Sequence, residues 1–129
     1  MNLFLRSLLL LAAGLTSAAH AEGIAKIDQA TLLKRISEKD ASLIILDVRT
    51  PEEFAAGHIP GAVNIPYTYL PVRISELPEA ADKDIVLYCA SGVRSEIAAA
   101  RFSENGYTRL LHLDGDMEKW LSEKQPVVK

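Results

Sequence analysis

Four short runs of apolar residues, each followed by a stretch of mixed polarity, set the rhythm of this chain. Ser42 to Val48 (SLIILDV), Ala62 to Ile65, Asp84 to Cys89 (DIVLYC) and Thr108 to Leu113 (TRLLHL) predict strands. Leu43-Ile44-Ile45-Leu46 and Ile85-Val86-Leu87 are continuous rather than alternating, the pattern of strands covered on both faces of a parallel sheet. The segments between them predict helices over Ala30 to Lys39, Pro51 to Ala56, Ser95 to Asn105 and Met117 to Glu123, with a short turn around Val72 to Leu77. Pro51 suits a first helical position, where no N–H is needed, and Glu52 and Glu53 follow where negative charge favours the helix dipole. Gly106 after Asn105 predicts a helix stop, and Pro126 forbids continuation of the last one. Strands alternating with helices predict a single α/β domain around a mainly parallel sheet, whose ligands sit at the carboxyl ends of the strands. The segments after Val48 and after Tyr88 are therefore the places to look for chemistry.

The first 21 residues, MNLFLRSLLLLAAGLTSAAHA, do not share this rhythm. Arg6 and the amino terminus precede an apolar stretch from Leu8 to Leu15, and Ala19-His20-Ala21 places small residues at both positions of an A-x-A site. This is the pattern of a secretory signal peptide cleaved before Glu22, too short and too interrupted at its end for a retained membrane span. The expectation is an exported chain, periplasmic or extracellular, with no stable membrane anchor after cleavage. Removing 21 of 129 residues leaves 108, and with Arg6 gone the net charge moves from −3 to −4. Such an acidic balance argues against nucleic acid as a partner, which needs a basic face.

One cysteine in the whole chain excludes an intramolecular disulfide, a CxxC redox pair and a multi-cysteine metal knuckle. In an oxidising compartment a lone thiol is either buried and inert or kept for its reactivity. Cys89 ends a predicted buried strand and is followed by Ala90, Ser91, Gly92, Val93 and Arg94, with a helix expected from near Ser95. A tight loop entering a helix points successive N–H groups inward, and Gly92 allows a turn where a side chain would clash. The helix N-terminus and Arg94 add positive potential, so all three features favour thiolate over thiol. A small core residue at a strand end is the plainer alternative for Cys89. Arg94 could equally be a solvated residue or a partner of Glu96.

The loop Cys89-Ala-Ser-Gly-Val-Arg94 resembles the C-x-x-G-x-R active-site loop of the rhodanese sulfurtransferases. Leu46-Asp-Val-Arg49-Thr-Pro-Glu-Glu-Phe54, followed by Gly57-His-Ile-Pro-Gly61-Ala-Val-Asn64-Ile-Pro66, resembles that family's N-terminal signature. Gly106-Tyr107 and the stretch from Leu113-Asp-Gly115 to Trp120 resemble its C-terminal features. The resemblance runs from about Ile24 to Val127, and with the leader it is closest in type to small periplasmic thiosulfate sulfurtransferases. Two positions depart from the family: Gly115-Asp116 stands where two glycines are common, and Lys124 where a glycine precedes the final proline by two. Both departures bear on local turn geometry more than on chemistry.

The resemblance implies that Cys89 attacks the sulfane sulfur of thiosulfate or a similar donor, forms a persulfide, and passes the sulfur to cyanide, a thiol or a partner protein. It implies that Ala90, Ser91, Gly92, Val93 and Arg94 bind the substrate, Arg94 as the group that holds an anionic donor. No metal or organic cofactor is implied. Asp47 and Arg49 belong to the signature and are expected to form an ion pair or cap at the first strand-to-helix turn. His58 is expected to be a loop residue rather than a base for Cys89, His112 to pack or pair locally, and Trp120 to pack. Two rival readings use the same thiol. A Cys-dependent phosphatase or arsenate reductase needs Arg six positions after Cys, where this chain has Ser95. A sulfur-relay module would hand its persulfide only to a bound protein.

Overall fold

All five strands of the computed structural model run parallel, in the order β1-β5-β4-β2-β3. The structure describes residues 23–70, 72–77 and 79–129, so the leader expected over residues 1–21 lies outside it. The strands are β1 (Ala25–Ile27), β2 (Leu43–Asp47), β3 (Val63–Asn64), β4 (Asp84–Tyr88) and β5 (Leu110–Leu113). The helices are α1 (Gln29–Ser37), α2 (Pro51–Ala56), α3 (Val93–Glu104) and α4 (Asp116–Ser122), with short 3₁₀ turns between β3 and β4. The two continuous apolar runs form β2 and β4, paired from Leu43↔Asp84 to Asp47↔Tyr88. No helix among the described residues is long and apolar enough to cross a membrane.

Alternation along these strands divides the core in two. Leu46, Ile85 and Leu87 pack with Ala98, Ala99 and Phe102 of α3 on one face. Ile45, Val86 and Tyr88 pack with Leu32 of α1 and with Met117 and Trp120 of α4 on the other. Cys89 continues the first series. Trp120 is fully buried, and its indole N–H donates to the Pro126 carbonyl at 2.7 Å, so packing is its role, as expected.

The three-residue β1 is the element that the hydrophobic pattern does not predict. Ala25 and Lys26 are exposed and only Ile27 is buried, so the strand exists through backbone pairing with Leu111–Leu113 rather than through an apolar run. Helix α3 starts two residues before the expected Ser95, because Gly92 at φ 115° turns the chain directly into it. It ends as expected, with Gly106 in the left-handed region at φ 84°.

The turn from β2 into α2 rests on a buried ion pair. The Arg49 guanidinium donates to both carboxylate oxygens of Asp47, Nη2 reaching Oδ2 at 2.7 Å, and Nη2 also donates to the Gly57 carbonyl at 2.8 Å. Asp47 further accepts the Arg49 N–H, while the Asn64 amide donates to the carbonyls of both residues. Both side chains are out of solvent. The structural role expected for Asp47 and Arg49 is the one they have. The pair is worth little against an apolar replacement but much against removal of one partner, which strands a buried charge. Asp47→Asn is therefore expected to lower stability by about 3 kcal/mol in urea unfolding, and the double replacement Asp47→Leu/Arg49→Met to recover most of that loss.

Candidate active site

Strands β2 and β4 end side by side, the Val48 N–H donating to the Tyr88 carbonyl at 3.0 Å. Cys89 is the first residue beyond β4 and is 1% exposed. Its Sγ accepts the Gly92 N–H at 3.0 Å. That bond requires the loop to fold back within three residues, and Gly92 makes this possible by its left-handed φ. A Cβ there would also lie 3.1 Å from Oδ2 of Asp116 and 3.5 Å from the His112 ring. Ala90 is half-buried, Ser91 and Val93 are exposed, and Gly92 begins α3 as its N-cap. The sulfur thus lies within the loop entering a twelve-residue helix, with one N–H directed at it and positive helix potential alongside.

Arg94 is placed differently from either plain expectation. It is only partly exposed and does not pair with Glu96; its Nη1 and Nη2 donate to Oε1 and Oε2 of Glu53 at 2.6 and 3.0 Å. Glu53 at the same time completes a capping box with Thr50 at the start of α2. Principally through the Arg94 hydrogen bonds, the Glu53 carboxyl is held down to about 2 from an ordinary 4.5, despite partial burial. One carboxylate therefore joins the first turns of α2 and α3 across the candidate site.

Beneath the loop lies a cluster that the sequence reading did not assemble. Asp116, 2% exposed, accepts the Cys89 N–H and the Ser95 hydroxyl at Oδ1, both at 3.0 Å, and its carboxylate meets His112 Nε2 at 2.9 Å. Burial acts to raise its pKa, but hydrogen bonds from His112, the Cys89 amide and Ser95 hold it below the ordinary carboxylate range. The Met117 and Glu118 N–H groups donate to the carbonyls of Cys89 and Ala90, each at 3.0 Å. The departure at Asp116 thus reaches the cysteine loop, while turn geometry survives: Asp116 and Lys124 take φ 51° and 56°. His112 pairs locally, as expected. His58 does too, with Nδ1–H donating to the Phe54 carbonyl at 2.9 Å and its ring stacked on Phe54. A separate hollow of about 320 Å³, lined by Arg35, Leu43, Val63 and Lys83 among others, shares no residue with the cysteine loop.

Residues 28–123 match the family model for the rhodanese-like domain. The chain is 39% identical over 103 residues to a protein named sulfurtransferase from Allochromatium vinosum, covering 80% of this chain and 94% of that one. It is 34% identical over 109 residues to a Bacillus subtilis protein named putative sulfur carrier protein YrkF, covering 84% of this chain but 57% of that one. Among solved structures, a rhodanese-related protein from Thermoplasma volcanium superposes with a TM-score of 0.69 at 31% identity, covering 81% of this chain and 98% of that one.

The Glu53–Arg94 pair makes a signed prediction. A carboxyl whose folded pKa is depressed contributes stability above its unfolded value and loses it as pH falls through the folded value. With both side chains partly exposed, a double-mutant cycle of Glu53→Gln and Arg94→Met in urea should give a coupling of about 1 kcal/mol at pH 7. It should hold down to pH 4.5 and fade toward pH 2.

Proposed function

The chain belongs to the rhodanese-like domain family, and from that premise we propose that it is a thiosulfate sulfurtransferase working through a Cys89 persulfide. The observation that carries this reading is the Cys89 sulfur, set at the end of a core strand and facing a backbone N–H at 3.0 Å. The thiolate attacks the outer sulfur of thiosulfate. The S–S bond of the donor breaks, its electron pair leaves with sulfite, and Cys89 carries the persulfide anion. Cyanide, or a thiol, then attacks the terminal sulfur, and the bonding pair returns to Cys89 as thiolate. The Gly92 N–H stabilises negative sulfur at each stage without reorganising, as a preorganised donor does for a developing anion. Little of the thiol is open to solvent, which favours a donor that offers a single terminal sulfur over a tetrahedral phosphoryl group.

A sulfur-carrier role is the second reading, supported by similarity to the protein named a putative sulfur carrier. It uses the same persulfide with a bound protein in place of cyanide. The two separate in the acceptor step alone.

Incubation with thiosulfate is expected to add one sulfur atom to the wild-type chain by intact mass, and none to Cys89→Ser. Catalytic thiocyanate formation from cyanide supports the enzyme. A single charge of sulfur that cyanide does not discharge supports the carrier, and hydrolysis of an aryl phosphate in preference to both overturns them. Arg94 can hold an anionic donor only in competition with Glu53. Glu53→Gln keeps the capping box and removes the competing charge, so its KM for thiosulfate should fall by roughly three- to tenfold, a change of about 1 kcal/mol.

A further inference from the structure

Asp116 is a non-glycine residue in a left-handed conformation, φ 51°, with its carboxylate buried. Both are unfavourable for an aspartate unless the side chain is engaged. Its engagements converge on one place. Oδ1 accepts the amide of Cys89 from below, and the N–H of the next residue donates to the Cys89 carbonyl at 3.0 Å. Both backbone groups flanking the reactive side chain are therefore held by consecutive residues of α4. Oδ1 also accepts the hydroxyl of Ser95 in the first turn of α3, and Oδ2 lies 3.1 Å from where a Cβ on Gly92 would stand, beside the residue whose N–H faces Sγ. The carboxylate thus holds both ends of the loop that surrounds the sulfur.

We propose that Asp116 is the positioning residue of Cys89, fixing through the Cys89 amide and Ser95 the loop geometry that aims the Gly92 N–H at the sulfur. Acting through backbone, it touches neither donor nor acceptor. The groups facing it are His112 from β5, Ser95 from α3 and Cys89 beyond β4. On its own turn Asp114 is held by Lys119, and Arg94 on α3 is paired with Glu53. The buried carboxyl is held below the ordinary range chiefly against the effect of burial, by His112 and by Cys89's amide.

This inference rests on Cys89 being the reactive group, and one of its two tests needs no sulfur donor. Asp116→Gly suits the left-handed backbone, and Trp120 fluorescence reports that the variant is folded. Asp116→Asn keeps an oxygen for the Cys89 amide and removes the charge. Amide hydrogen exchange at Cys89 is expected to accelerate about tenfold in Asp116→Gly and to stay near wild type in Asp116→Asn, the loss of a single buried hydrogen bond. With thiosulfate, Asp116→Gly should lower kcat about tenfold at a KM within about twofold of wild type, and Asp116→Asn should restore most of kcat. Unchanged Cys89 exchange in Asp116→Gly, or equal damage in both variants, overturns the assignment. A wild-type protein that accepts no sulfur overturns the sulfurtransferase reading, and exchange then decides the role of Asp116.

Discussion

A parallel strand that stops inside a protein leaves backbone donors and acceptors where water cannot reach them, and every one must find a partner. That constraint governs the carboxyl edge of this sheet. At the end of β2 it is met within the turn by Asp47 and Arg49, and from beyond it by Asn64, by the Ile65 N–H on the Asp47 carbonyl, and by Tyr67 and Tyr88 on the backbone of Val48. At the end of β4 it is met by Asp116 and the first N–H groups of α4. The Cys89 amide and the Cys89 and Ala90 carbonyls are thus satisfied from α4, while the Gly92 N–H faces the sulfur.

The two strand ends also handle charge differently. Arg49 is consumed by Asp47, with the Tyr88 ring 5.6 Å from its guanidinium carbon, and burial followed by the Asp47 charge pushes the Tyr88 phenol well above its ordinary value. Tyr88 is thereby kept neutral, its hydroxyl oxygen accepting the Ile59 N–H at 3.1 Å. Arg94 lies closer to solvent and is tied by a single carboxylate that a competing anion could displace. Fixed charge belongs to the scaffold and exchangeable charge to the mouth of the site.

Much of this was legible in sequence because it is local. The apolar runs placed β2 and β4 within a residue or so, Pro51 with Glu52 and Glu53 announced α2, and Cys89 to Arg94 marked the loop by type and spacing. What was not legible is what depends on long-range partners. Strand β1 has one buried side chain and forms because β5 offers it an edge. Glu53 and Arg94 are 41 positions apart, and Cys89 and Asp116 are 27 apart. The only sequence signal for Asp116 was an aspartate where the family often has a second glycine, and composition alone cannot say whether such a residue is tolerated or employed.

The hydrogen bonds from Met117 and Glu118 to Cys89 and Ala90 also join two stretches of chain into one cooperative unit. Helix α4 spans only seven residues and is held by Trp120, whose indole is in turn fastened to the tail at Pro126, while Val128 pairs with His58 beside α2. Fraying of the C-terminal tail is therefore not a remote surface event. It loosens the helix on which the cysteine loop leans, so residues well past that helix carry a share of the loop's rigidity.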